Sequence, residues 1–189
     1  MRLQTFKNLL TIIVLPTFTL ACNQSGESAI RNKASDQVID IKKNYQDKFT
    51  LYGLGDVKIG SKFTDNKELK RYTDVLDGCF EATSNLHKNA SYMIQDNVVT
   101  NIGVSESNIA SPYNIKVGDY KTQIDNKHKG EKAEIVNNPY GEPDINIIVY
   151  YWYPVNGKIL GIRYDVDNNI VTSISIGFKD SLELMEGCA

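Results

Sequence analysis

The feature that most constrains this chain is an internal repeat. "VKIGSK" at 57–62 recurs as "IKVGDY" at 115–120, and "NVVTNIGV" at 97–104 recurs as "NIVTSISI" at 169–176. Self-similarity matters before anything else because each copy has to supply one supersecondary unit whose apolar face is buried by the other. The offsets are 115 − 57 = 58 and 169 − 97 = 72, so the second copy carries 72 − 58 = 14 more residues between its landmarks.

In each copy a Gly turn precedes a polar segment with a helical reading. In the first, Asp65 and Glu68 have the spacing of a capping box, and Leu69, Tyr72, Val75 and Leu76 line one helical face. In the second, a shorter segment over 120–129 ends at Gly130. Strands follow in each copy: near 80–84, 91–95 and 98–104 in the first, and near 133–137, 145–153, 159–166 and 170–178 in the second. The Asn-Gly of "PVNGK" at 154–158 is a strong hairpin signal, and "DVDNNI" at 165–170 supplies the next turn. Hairpins with a helix on one face predict an α+β fold. The expectation is therefore two helix-on-antiparallel-sheet repeats, 49–110 and 111–189, packed as one body.

The string "GLGDVKIGSK", the later "DNVVTNIGV", then "DVDNNIVTSISIGF" and a closing "EGC" resemble a group of uncharacterised proteobacterial exported proteins and lipoproteins with a "GLGPLKIGM"-type opening. Each half is similar to the small domain of the outer-membrane assembly lipoprotein BamE and of tandem β-lactamase inhibitory proteins. The likeness covers Tyr52 to Cys188, with Ser61 and Asp119 standing where that group often has Met after the turn glycine. It implies BamE-like repeats and a non-catalytic binding role, and it transfers no catalytic residues.

The chain has three cysteines, an odd number. Cys22 closes "TLAC", which resembles the lipobox of bacterial lipoproteins, where the cysteine is lipidated and becomes the first mature residue. Arg2 and Lys7 precede an uncharged, mostly apolar stretch at 9–21, the layout of a secretory signal. That stretch is shorter than the roughly 18 apolar residues a membrane-spanning helix needs. Thr19 and Ala21 also satisfy the small-x-small rule for ordinary signal cleavage, which would leave Cys22 as a free thiol. On the lipoprotein reading, residues 1–21 are a signal peptide, several acyl chains including palmitate anchor Cys22, and 22–48 is a polar tether with a short helix near 36–45. Asn23 follows the cysteine where an aspartate would resemble an inner-membrane retention signal, so the expected address is the outer membrane, facing the periplasm. With Cys22 set aside, Cys79 and Cys188 remain as a disulfide pair in an exported protein, pinning the C-terminus.

Loss of residues 1–21 removes two positive charges, taking the formal net charge from −2 to −4. That argues against nucleic acid, whose phosphates require a basic stripe. The two histidines, His87 and His128, show no metal-ligand spacing, so no metal or cofactor is expected. Asp165, Asp167 and Asn169 begin like a calcium loop, but Ile170 and Ile176 occupy the glycine and glutamate positions, so a polar turn is the reading. The basic spot at 127–132 reads as a solvated loop, and Glu183 with Glu186 is too common a pairing to mean a glycosidase.

"VYYWYP" at 149–154 is the most unusual run. In a strand, Tyr150 and Trp152 share one face and Tyr151 and Tyr153 the other. Exposed, these four side chains would make a binding surface for protein or glycan; packed, they would meet Tyr164 and Ile162 across the sheet. The functional expectation is a membrane-anchored, non-enzymatic protein-binding module, either an envelope-assembly accessory or an inhibitor or immunity protein against a hydrolase. Glycan or small-ligand binding through the aromatic strand is the alternative. A hydrolase would require a pocket where His87 or His128 meets a carboxylate.

Overall fold

The computed structural model describes residues 49–188; the expected signal peptide at 1–21, the expected lipidation at Cys22 and the expected 22–48 tether fall outside the described residues. Three two-residue strands, β1 (Phe49–Thr50), β2 (Gly53–Leu54) and β3 (Val57–Lys58), form a small antiparallel sheet. Eight strands form the main sheet: β4 (Leu69–Arg71), β5 (Cys79–Ser84), β6 (Ala90–Gln95), β7 (Val98–Val104), β8 (Glu134–Asn137), β9 (Asn146–Val155), β10 (Lys158–Asp167) and β11 (Ile170–Phe178). Their spatial order is β4-β5-β6-β7-β11-β10-β9-β8, every neighbouring pair antiparallel. Two α-helices are present among the described residues, α1 (Lys121–Lys127) and α2 (Lys179–Leu182).

The order is a palindrome. Two four-stranded meanders meet where β7 pairs with β11, Ile102 opposite Ile176. The repeat in the sequence has a direct physical counterpart. Gly60 N–H donates to Val99 O at 2.8 Å, Val99 N–H to Ser61 O at 2.9 Å and Phe63 N–H to Asn97 O at 2.7 Å. The same three bonds recur from Gly118 to Val171, Val171 to Asp119 and Lys121 to Asn169, each 2.8 Å. Each glycine turn is thus stitched to the start of its own meander's last strand.

The α+β expectation of two helix-on-sheet repeats is overturned: the described body is mostly β, and what repeats is a turn and a meander. The helix expected from the Asp65–Glu68 capping box does not form. Its place is taken by a single 3-10 turn at Phe63–Asp65, then β4, then a loop. Leu69 is buried opposite Ser84, while Tyr72, Val75 and Leu76 are exposed. An isolated helix of this length is marginal in water, and pairing with β5 supplies ladder bonds and burial that outweigh the local preference. The following loop is held by β5 through one backbone and one side-chain group: Tyr72 N–H donates to Glu81 O at 2.7 Å, and Glu81 N–H to Thr73 Oγ1 at 2.8 Å. Leu76 and Cys79 then exchange both backbone bonds at 2.8 Å around Asp77 (φ 47) and Gly78 (φ 79), the two positive dihedrals of a tight hairpin. The second expected helix is present as α1, and the hairpin at Asn156-Gly157 forms as expected between β9 and β10.

Alternation along the strands divides the interior. One face of the sheet carries the main core, with Tyr92, Ile102, Val149, Tyr151, Ile162, Tyr164, Ile174 and Ile176, closed over by Ile124 of α1 and by Leu54 and Val57 of the small sheet. The opposite face is covered at one end, where Leu182 of α2 and Met185 pack on Ile148, Tyr150 and Trp152 and α2 reaches across β10 and β11 to β7. Trp152 lies across Gly161 so closely that a Cβ there would sit 2.4 Å from the indole ring. The Cys79–Cys188 disulfide forms, with Cα atoms 5.3 Å apart, and ties the chain end to β5.

Candidate functional site

Two places concentrate chemistry: a polar assembly around the enclosed His128 ring on the main-core face, and an open cleft on the other side of the sheet. The assembly is built where α1 ends. His128 is its C-cap residue, and its ring is sandwiched between Tyr151 (centroids 3.7 Å, 12° between planes) and Tyr113 (3.8 Å, 30°). Nδ1 lies 3.2 Å from Glu131 Oε2 and Nε2 lies 2.9 Å from Tyr164 Oη. A carboxylate only accepts, so Nδ1 carries the proton and the Tyr164 hydroxyl donates to Nε2. Tyr164 Oη is also 3.2 Å from Ser111 Oγ. Tyr113 and Tyr153 donate to the two oxygens of Glu131 at 2.7 and 2.6 Å.

The electrostatics follow from burial against partners. Burial disfavours the imidazolium and lowers the His128 pKa, although Glu131 pulls the other way. Burial would raise the Glu131 carboxyl, but hydrogen bonds from Tyr153, Tyr113 and His128 outweigh it and hold it below the usual range. Burial raises Tyr153, and its bond to Glu131 raises it further. Tyr164 is likewise pushed well above the ordinary phenol value, chiefly by burial. A neutral His128 thus faces an ionised Glu131. A histidine does meet a carboxylate, as a hydrolase would require, but the His128 side chain has 0% exposure and both ring faces are covered. A general base has to lie within reach of the proton it removes, and this ring reaches none from solvent.

The aromatic run is divided by the pleat as its spacing requires. Tyr151 and Tyr153 belong to the His128 assembly, whereas Tyr150 and Trp152 stack on each other at 4.9 Å on the opposite face. Tyr150 and Tyr151 are 2% and 3% exposed, so neither presents a surface. Tyr150 donates to Leu182 O, Trp152 Nε1 donates to Glu134 at 2.7 Å, and Lys179 sits 4.9 Å above the indole. Tyr150 and Tyr151 are buried, and Trp152 and Tyr153 are half-buried against the two core clusters. The calcium-like residues are committed elsewhere: Asp165 takes a bidentate approach from Arg163 (2.7 Å to Nη2), and Asp167 accepts from Asn146 at 2.9 Å.

The open cleft went unnoticed in the sequence. On the uncovered face the register lines up Thr83, Ser91, Gly103, Ser175 and Arg163 in one row across five neighbouring strands. Around the row's centre is a cleft of about 400 Å³, walled by Tyr72 and Glu81 on one side and by Lys88, Asn89 and Glu106 on another. The Tyr72 ring is 73% exposed. The hydroxyls of Thr83, Ser91 and Ser175 and the Glu81 carboxylate have no hydrogen-bond partner among the described residues. Alternating Ser and Gly in "ISIG" and "NIGVS" is the sequence signal for such a row, but it becomes a site only once the strands are in register.

No family model and no curated protein matches the chain. One solved structure is similar, an extracellular protein containing an SCP domain from Bacillus anthracis str. Ames, with 10% identity and a TM-score of 0.41. The match covers 66% of this chain and 45% of that one, so it spans less than half of that protein. Among the described residues no helix is long and apolar enough to cross a membrane.

Proposed function

We propose that this chain is a membrane-anchored, non-catalytic binding module of the bacterial envelope, and that the open face of its main sheet is the binding face. The observation that carries the reading is the contrast between its two polar regions. The His128 ring is enclosed and its assembly is internally hydrogen-bonded, with Glu131 reaching the surface, whereas the cleft holds hydrogen-bonding side chains with no internal partner among the described residues and an aromatic ring turned to solvent. Sites that take ligands combine a concave surface with a few convergent polar groups, which is the pattern here. The anchor is supported by "TLAC" at Cys22, and the outer membrane by Asn23 after it. The disulfide fits an oxidising compartment. An assembly accessory, an inhibitor and an immunity protein are all roles that such a displayed face serves.

The test is a photo-crosslinking amino acid at Ser91, inside the cleft, compared with one at Asn126, exposed on α1 over the opposite face. Crosslinking in native envelopes is expected to give a discrete adduct from Ser91 and none from Asn126. No adduct from Ser91 above background would remove the proposal. Radioactive palmitate, incorporated by the wild type and lost on Cys22→Ser, tests the anchor separately.

A further inference from the structure

Building on this choice of binding face, we infer that the cleft is a saccharide subsite, taking a neutral or amino-sugar oligosaccharide. Gly103 forms the floor, and a Cβ there would lie 3.1 Å from both Ser175 Oγ and Ser91 Oγ. The two hydroxyls therefore converge over the one strand position that has no side chain. Each hydroxyl both donates and accepts, the same dual capacity as a sugar hydroxyl, and neither is engaged elsewhere among the described residues.

Two further features select the ligand. Tyr72, 73% exposed at the cleft wall, offers a flat ring for the C–H face of a pyranose. The charged walls are two carboxylates, Glu81 and Glu106, against one ammonium, Lys88. Asn89 donates to Glu106, leaving Glu81 free to accept from a sugar hydroxyl or an amino-sugar ammonium. The same balance repels polyanions. A protein docking on the same face would want an apolar centre, which the hydroxyls and glycine of the cleft do not supply, so it would rest on the surrounding face and leave the cleft to the saccharide.

Ser173, at the cleft's end, sharpens the orientation. Its hydroxyl donates to Asp165 Oδ2 at 2.5 Å, and Asp165 is fixed by Arg163, so Ser173 Oγ presents only acceptor capacity to the cleft. A ligand hydroxyl must donate there.

The experiment is titration of the folded chain with three probes: N-acetylglucosamine tetramer, glucosamine tetramer and an oligogalacturonate. Amide chemical shifts of Ser91, Gly103 and Ser175 are followed. Saturable binding of at least one of the first two and none of the oligogalacturonate is expected. Tyr72→Ala is expected to weaken binding by about tenfold, the loss of one stacking contact. Ser175→Ala should weaken it too, while both variants keep the wild-type melting temperature. The inference fails if neither amino-sugar probe binds, or if binding survives unchanged in the Tyr72→Ala, Ser175→Ala double variant. A protein adduct from Ser91 in native envelopes, without probe binding, would end the saccharide assignment and leave the binding face standing.

Discussion

The two meanders hold the same tyrosine in the same place and treat it differently. Tyr92 on β6 lies opposite Ile102, and Tyr164 on β10 lies opposite Ile174, positions related by the repeat offset. Both side chains are completely buried. The Tyr164 hydroxyl is satisfied by His128 and Ser111. The Tyr92 hydroxyl approaches Ser84 without a well-formed bond and has no hydrogen-bond partner among the described residues, and Glu68 Oε1 near it is in the same condition. Burial raises the pKa of Tyr92, with the Glu68 charge adding to it, and raises that of Glu68, opposed by His87. The second copy's longer insert builds α1 and the ten-residue strands β9 and β10, and so delivers His128 and Tyr153 to their places. The first copy has a 3-10 turn and six-residue strands, and nothing equivalent reaches Tyr92. A repeated strand scaffold thus fixes where a side chain lies, and the capping segment fixes whether it is satisfied.

The largest test of this pairing of halves is the disulfide, which fastens the end of the second copy to the first strand pair of the other. Its sequence separation is 109. Removing it by Cys79→Ser with Cys188→Ser is expected to cost about 3–5 kcal/mol on the chain-entropy account, read as a fall in urea midpoint with and without reductant. Equal midpoints would mean that β7–β11 pairing alone sets the stability.

The tyrosines come next. Tyr164→Phe leaves buried His128 Nε2 without its donor and should cost about 1–3 kcal/mol, whereas Tyr92→Phe removes a hydroxyl with no bond to lose and should be neutral or stabilising. Equal losses at both positions would dissolve the distinction between the halves.

A smaller effect is the pH dependence that His128 and Glu131 give the second copy. His128 has a folded pKa below its ordinary 6.5, so the unfolded chain binds the proton first and stability declines as pH drops through 6.5. Glu131 is also depressed, below 4.5, so its contribution is present above that value and is lost at still lower pH. Melting temperature measured from pH 8 to pH 4 should fall first near 6.5, and His128→Phe should remove that first step. A wild-type profile flat between pH 7 and pH 5 would contradict the neutral imidazole.

The smallest effect is expected at the loop where a helix was expected. Val75→Ser and Leu76→Ser change exposed side chains and should stay within about 0.5 kcal/mol of wild type by thermal melt. A loss of several times that would show these residues packed against something.

How much was legible is clearest strand by strand. The strands β7 and β11 are found at the residues their alternation marked, because a period of two is a local property of the chain. The Asp77-Gly78 pair was as strong a hairpin signal as Asn156-Gly157, yet the apolar spacing around it matched a helix and pointed the other way. The candidate cleft was illegible, since Thr83, Ser91, Gly103 and Ser175 become neighbours only through register. So was the His128 assembly, whose members range from Ser111 to Tyr164.

By itself the sequence determined the repeat, most of the strands and the cysteine pair, all of them matters of local pattern or of parity. Tertiary structure alone decided that the first helix gives way to β4, that Tyr150 and Tyr151 are packing rather than surface, and that one sheet face stays open. Those outcomes rest on which segments compete for the same edge and the same buried area, a competition between residues far apart in the chain that no local preference encodes.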